Sequence, residues 1–189
     1  MRIEKNEFVV RDLSYVIRSA EEKDAPALSA LRLQVDGETE NLDRESGEDF
    51  MDAQRFKKVI QTDTDKSRNL FLVASTRERL IGFSRCEGNY LQRFAHKVEF
   101  GVAVLRPFWG YGIGTNLLNR CVAWADTNGI RKMTLTVLET NIRAIALYEH
   151  AGFVREGTLI NDKLLSDGDY HNTVVMGRWD TQRMIGAKR

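Results

Sequence analysis

The sequence predicts an α/β protein of mixed α+β character: one domain with a central twisted mixed sheet and helices on both faces. Two observations carry this. The strand-like runs within 69–88 are separated only by a short polar turn, which favours antiparallel pairing. Around 98–138 a strand, a helix and a second strand follow one another, which requires a parallel pair.

The elements follow in order. SYVIRSA (14–20) reads as the opening strand, after a charged N-terminus, MRIEKNEFVVRDL, that lacks the apolar core of a signal peptide. Asp24 as cap, Pro26 in the first turn and an apolar stripe of Ala27, Leu28, Leu31 and Val35 predict a first helix. The polar stretch 36–49 carries seven acids against Arg44 alone. A second helix is expected from Glu48 to about Ile60, on Phe50, Phe56, Val59 and Ile60. FLVAS and RLIGFSR form a hairpin across TRE, and VEFGVAV (98–104) is a further strand. A helix is expected from about Gly114 to Asn128, ended by Gly129 in a left-handed conformation. KMTLTVL (132–138) is a strand, and 141–151 is a short helix with Asn141 as N-cap and Gly152 as stop. FVREGTLI and HNTVVMGRW close the sheet.

Composition narrows the function classes. At 189 residues, 42% hydrophobic and 29% charged, the chain is globular and long enough for a substantial core. A net charge of +1 creates no general field for nucleic acid or an anionic membrane, and neither is expected as a partner. No apolar run approaches the ~20 residues that span a bilayer. Cys86 and Cys121 stand in no metal or redox spacing, so no metal is expected. They fit reduced structural thiols and a cytoplasmic location.

The chemistry concentrates after VEFGVAV. Gly110, Gly112 and Gly114 lie between a strand and a helix. Glycines let the backbone close around a ligand, and the first helical turn offers unpaired N–H groups at the positive end of its dipole. That combination binds phosphate, although glycines at this spacing also make ordinary tight turns. A Walker loop is excluded, because Gly114 is followed by Thr115 and Asn116 with no lysine. A dinucleotide loop fits poorly: the spacing is G-x-G-x-G, although Glu139 lies near the end of the following strand.

Three stretches resemble the GNAT superfamily of acetyl-CoA-dependent N-acetyltransferases: YVIRSAEEKDAPAL, VEFGVAVLRPFWGYGIGTNLLNRCVAWA and NIRAIALYEHAGFVREG. The resemblance runs from about Tyr15 to Trp179. It implies a single N-acetyltransferase domain over 1–189, with acetyl-CoA as co-substrate. The diphosphate would lie on the backbone of Gly110, Tyr111, Gly112, Ile113, Gly114 and Thr115. Pantetheine would pair along Val102, Ala103 and Val104, with Asn141 and Ala144 on the cofactor side. Trp109 stands where the family usually has Gln or Arg, and is expected to alter packing around the cofactor without abolishing the site. The family's general-acid tyrosine corresponds to Tyr148.

Alternation along KVEFGVAV places Glu99, Gly101 and Ala103 on one face, a floor narrow enough for a slim ligand unless a bulge at Gly101 shifts the faces. Glu99 is the candidate base, acting through water, with His96 as its rival. The resemblance implies that the region between the first two helices lines the acceptor groove, so the acidic segment is expected to attract a cationic acceptor amine, small molecule or peptide, with Glu38 or Glu40 facing the groove. Direct attack in a ternary complex is expected, since neither cysteine is placed as a nucleophile. The other reading is a sensor that binds acyl-CoA or a nucleotide without turnover. Exposed strand edges near the C-terminus suggest a homodimer.

Overall fold

A computed structural model describes residues 1–180. Eight strands form one sheet in the order β1-β2-β3-β4-β5-β6-β8-β7. The strands are β1 (Asn6–Val10), β2 (Leu13–Ser19), β3 (Leu70–Ser75), β4 (Leu80–Gly88), β5 (Lys97–Val104), β6 (Lys132–Leu138), β7 (Val154–Leu164) and β8 (Tyr170–Trp179). The helices are α1 (Ala25–Glu38), α2 (Ala53–Asp65), α3 (Ile113–Thr127) and α4 (Ile142–His150). Among the described residues only β5 and β6 run parallel; every other neighbouring pair is antiparallel.

Alternation along the strands divides the core into two layers. Leu70, Leu72 and Ala74 of β3 pack with α3 residues Leu117, Leu118 and Cys121 on one face. Phe71 and Val73 pack on the other face with Leu28, Leu31 and Val35 of α1 and Phe56 and Ile60 of α2. Helices therefore cover both faces, as the sequence predicts.

Several local expectations are revised. The charged N-terminus contains β1, which pairs with β2 across a two-residue turn with Arg11 at φ 57°. Its NEFVV run is too short and too exposed to show a clear alternation. Asp24 precedes α1, but its carboxylate does not cap that helix. It accepts from the Glu21 amide and forms a two-pronged ion pair with Arg18 at 2.7 and 2.8 Å. α2 begins at Ala53, five residues later than expected from Glu48, because Asp52 is the true cap and accepts from the Arg55 amide. α1 continues to Glu38, so Asp36 and Glu38 belong to a helix rather than to a loop. Gly101 forms no bulge: β4 and β5 stay in register from Gly82↔Val104 to Gly88↔Val98.

The parallel pair is short. β5 and β6 are in register only at Lys97↔Lys132, Val98↔Met133 and Glu99↔Thr134. Beyond these, β5 stays with β4, while β6 stays with β8 as far as Leu138↔Thr173. The sheet opens between them.

A buried ion pair fastens α2 beside this opening. Asp63, 1% exposed, accepts from Arg85 of β4 at 2.6 and 3.0 Å and from Asn69 at 2.7 Å. Asp63→Ala would leave the Asn69 amide unpaired and the Arg85 guanidinium with Glu87 alone, and should lower stability by about 2 kcal/mol, read from the urea midpoint. Replacing Asp63 and Arg85 together with Leu and Met should recover most of that loss.

Candidate active site

The opening between β5 and β6 is the waist of a cleft of about 900 Å³. Its walls are the outer half of β5, the loop before α3, the first turns of α3 and α4, and the segment after α1. A volume of this order accommodates an extended cofactor together with a small acceptor.

The glycine loop forms one end. Gly110 and Gly112 have φ of 87° and 72°, a left-handed backbone that side chains rarely adopt. Gly112 is also the N-cap of α3, and its carbonyl accepts the first helical bond from Asn116 at 2.9 Å. The loop is held from beneath by Tyr15 of β2. The Tyr15 hydroxyl donates to the Tyr111 carbonyl at 3.2 Å and accepts from the Asn116 side chain at 2.7 Å. With that carbonyl turned toward the core, the α3 N-terminus is left to present N–H groups to the cleft. Trp109 donates its indole N–H to the Val104 carbonyl at 2.7 Å, which staples the loop to the end of β5.

Trp109, Gly110, Gly112, Ile113, Gly114 and Thr115 line the cleft; Tyr111 does not, because its carbonyl is engaged by Tyr15 and Arg11 lies over its ring. Val102, Ala103 and Val104 line it from β5, and Asn141 and Ala144 from the start of α4. Asn141 caps α4 through a 3.2 Å bond from the Ala144 amide, as its position predicts. Residues 101–104 of β5 have no partner strand on the β6 side. A backbone edge of this kind can pair with an extended amide-containing ligand.

Tyr148 of α4 stands at the waist, its ring edge-on to Phe100 of β5 with centroids 6.4 Å apart. Its hydroxyl makes no hydrogen bond to the other described residues, and burial pushes its pKa up to about 12. A buried phenol of this kind stays neutral and keeps its O–H available as a hydrogen-bond donor at neutral pH.

On the other side of β5, Glu99 and Gly101 are exposed toward the cleft. Glu99 sits directly opposite Glu87 of β4, and Gly101 opposite Arg85. Arg85 reaches both Asp63 and Glu87, the latter at 2.7 Å. The Glu87–Glu99 juxtaposition, Arg85, and Arg143 beside Gly110 are site features that element prediction did not reach. A strict count of the β4–β5 register would have found Glu87.

Glu38 and Glu40, expected in the acceptor groove, do not line the cleft. Glu38 accepts from the Arg106 amide at 2.7 Å and Glu40 from the Ser166 amide at 2.9 Å. Most of the other acids of 36–49 are paired too. Asp36 meets Arg32 and Arg44, Asp49 meets Arg32 and Arg55, and Asp43 meets Lys163. His96 lies at the opposite end of β5 against Trp179, and Glu139 holds Asn172 at 2.8 Å; neither lines the cleft. Cys86 and Cys121 are buried free thiols, and burial drives the Cys86 pKa well above its usual value. Among the described residues no His/Cys/Asp/Glu cluster is arranged to hold a metal. Among the same residues no helix is long and apolar enough to cross a membrane.

Gly101 separates site from fold. A Cβ added there meets nothing within 4 Å, whereas Gly112 would be strained by any side chain. Gly101→Leu should therefore keep the melting temperature within about 3 °C of the parent. It should also weaken coenzyme A binding, read by calorimetry, by about tenfold or more.

Comparison with known proteins agrees with this geometry. The acetyltransferase (GNAT) family model matches residues 34–153. The chain is 33% identical over 114 residues to a spermidine N(1)-acetyltransferase of Vibrio cholerae, a stretch covering 59% of this chain and 64% of that protein. It thus spans less than two thirds of that relative. An L-amino acid N-acetyltransferase of Escherichia coli is 27% identical over 165 residues, 86% of this chain and 96% of that one. The crystal structure of a GNAT-family acetyltransferase from Streptococcus pneumoniae superposes with a TM-score of 0.84 at 25% identity, covering 87% of this chain and 98% of that one. With a loop, an opened sheet and a family match that all fall on the same residues, the chain belongs to the GNAT family of acetyltransferases.

Proposed function

We propose that the protein transfers an acetyl group from acetyl-CoA to a primary amine by direct attack within a ternary complex, and that the acceptor is cationic. The observation that supports this best is the opening of the sheet after Glu99↔Thr134. It brings the α3 N-terminus, the unpaired edge of β5, Tyr148 and Glu99 to one cleft.

The α3 N-terminus and its glycine loop hold the diphosphate, and Arg143 adds positive charge beside Gly110. The β5 edge aligns the pantetheine arm, and its amides donate to the oxyanion as the amine nitrogen attacks the thioester carbon. The amine attacks in its neutral form, its ammonium proton having gone to solvent, and Glu99 takes through a water the second proton, which the nitrogen sheds once bonding to the acyl carbon has made it acidic. The N–C bond forms, the C–S bond breaks, and the thiolate leaves. Tyr148 donates a hydrogen bond to that sulfur. A thiol pKa of ~8.5 lies well below the value of about 12 for Tyr148, so the phenolic proton stays on oxygen and the thiolate is protonated from solvent.

Cationic preference is supported by the adjacent carboxylates of Glu87 and Glu99. Like charges directly opposite on neighbouring strands repel; Arg85 already offsets Glu87, which leaves Glu99 as the carboxylate that an ammonium group would meet. The spermidine and amino-acid relatives both act on free amines, according to their names.

Turnover with a panel of diamines, polyamines, amino acids and peptides, read as free thiol, tests the reaction; no thiol release with any amine would refute it. Tyr148→Phe should lower kcat by about 100-fold with little change in coenzyme A affinity. The pH profile of kcat should show no fall from phenol ionisation below about pH 11, because the raised pKa keeps Tyr148 neutral to that point. A fall near pH 10 would place the tyrosine in water rather than in the site.

A further inference from the structure

Tyr111 does not line the cleft, although its neighbours on both sides do. Those neighbours are Gly110 and Gly112, both in the left-handed region, at φ 87° and 72°. Glycines on either side leave the peptides between them free to rotate, so two orientations are open to the Tyr111–Gly112 peptide. Its C=O and N–H point in opposite directions, because a trans peptide is a rigid plane. In the orientation observed, the Tyr111 carbonyl accepts from the Tyr15 hydroxyl at 3.2 Å. That sends the Gly112 N–H the other way, toward the cleft that Gly112 lines. Among the described residues this N–H has no acceptor. Reversing the peptide would withdraw the N–H and turn a carbonyl oxygen into the place where a diphosphate would lie.

Tyr15 is itself oriented. The Asn116 side-chain amide donates to its hydroxyl at 2.7 Å, which directs the phenolic proton to the Tyr111 carbonyl. Phe8 of β1 stacks on the Tyr15 ring with centroids 5.3 Å apart, and Arg11 in the β1–β2 turn lies over the Tyr111 ring. Tyr15 is 2% exposed, and burial raises its pKa, so the hydroxyl keeps its proton at neutral pH.

Resting on the acetyltransfer reading, we infer that Tyr15 is a positioning residue for the diphosphate: its hydroxyl latches the Tyr111–Gly112 peptide with the N–H toward the cleft and the carbonyl away from it. The β1–β2 hairpin thereby sets the affinity for coenzyme A without touching it. Losing the latch costs the site twice, since a donor to the diphosphate is replaced by a repelling carbonyl. The pantetheine arm rests on β5 instead, so the latch acts on the diphosphate alone.

Tyr15→Phe removes the hydroxyl and keeps the ring that stacks on Phe8. It should weaken coenzyme A binding, read by calorimetry, by about tenfold or more. Pantetheine, which lacks the diphosphate, should bind the variant within about twofold of the native chain, read from the shifts of β5 amides in NMR titrations. The Gly112 amide proton should move downfield when coenzyme A is added to the native chain, and should not in the variant. Should Tyr15→Phe fail to fold, Asn116→Ala carries the same comparison: it leaves the hydroxyl free to rotate, and should weaken coenzyme A alone by about threefold. Unchanged coenzyme A affinity in the variant that folds would overturn the latch. Equal weakening of coenzyme A and pantetheine would also overturn it, since Tyr15 would then support the cleft as a whole. Failure of coenzyme A to bind the native chain would instead overturn the acetyltransfer reading, and the latch with it.

Discussion

The cleft depends on one loss of pairing: after Glu99↔Thr134, β5 and β6 cease to be neighbours. Each strand is held by a better partner. β5 is in register with β4 over seven residues, and β6 with β8 over seven. Two antiparallel ladders pull on a parallel pair of three residues, and the sheet opens where the weakest link ends. The opening leaves the backbone of residues 101–104 without a partner strand on the β6 side, an arrangement a soluble protein seldom leaves uncovered. In the proposed reaction it serves as a template for an extended ligand. Gly101, with open space where a side chain would stand, keeps that template clear.

The two faces of β5 then acquire different chemistry from a single alternation. Phe100 meets Tyr148 on the α3–α4 side, and Glu99 meets Glu87 on the α1–α2 side. A neutral phenol and a carboxylate pair therefore flank the same short strand from opposite directions. Arg85 holds Glu87, and is itself held by buried Asp63, so one member of the carboxylate pair is fixed in place. Glu99 has no ion-pair partner among the described residues.

Charge in the 36–49 segment does different work from what its composition suggests. Seven acids in a row of polar residues look like an electrostatic funnel. Folded, Asp36, Asp43 and Asp49 meet arginine or lysine, and Glu38, Glu40 and Glu48 accept from backbone amides. Charges neutralised in this way project little field into solvent and instead specify where the chain crosses the sheet. In the proposed reaction, attraction for a cation falls to Glu99, which lies on a strand far from that segment in sequence, beside a Glu87 already paired with Arg85.

Local patterning determined most of the elements. The alternating runs of β3 to β6, the apolar stripes of α3 and α4, and the glycines at 110, 112, 129 and 152 each encode a conformation within a few residues, and the structure bears them out. Asn141 as cap and the glycine loop as the α3 N-terminus were legible for the same reason. Element ends were less so: Asp52 rather than Glu48 starts α2, because several acids compete for one cap. What only the tertiary structure decided are relations between distant residues. Tyr15 beneath Tyr111, Asp63 beneath Arg85, Glu87 against Glu99, and Asp43 against Lys163 join elements whose separation in sequence carries no record of their approach. Periodicity states which face of a strand a side chain takes; strand order, register and the point where two ladders part decide what that face meets.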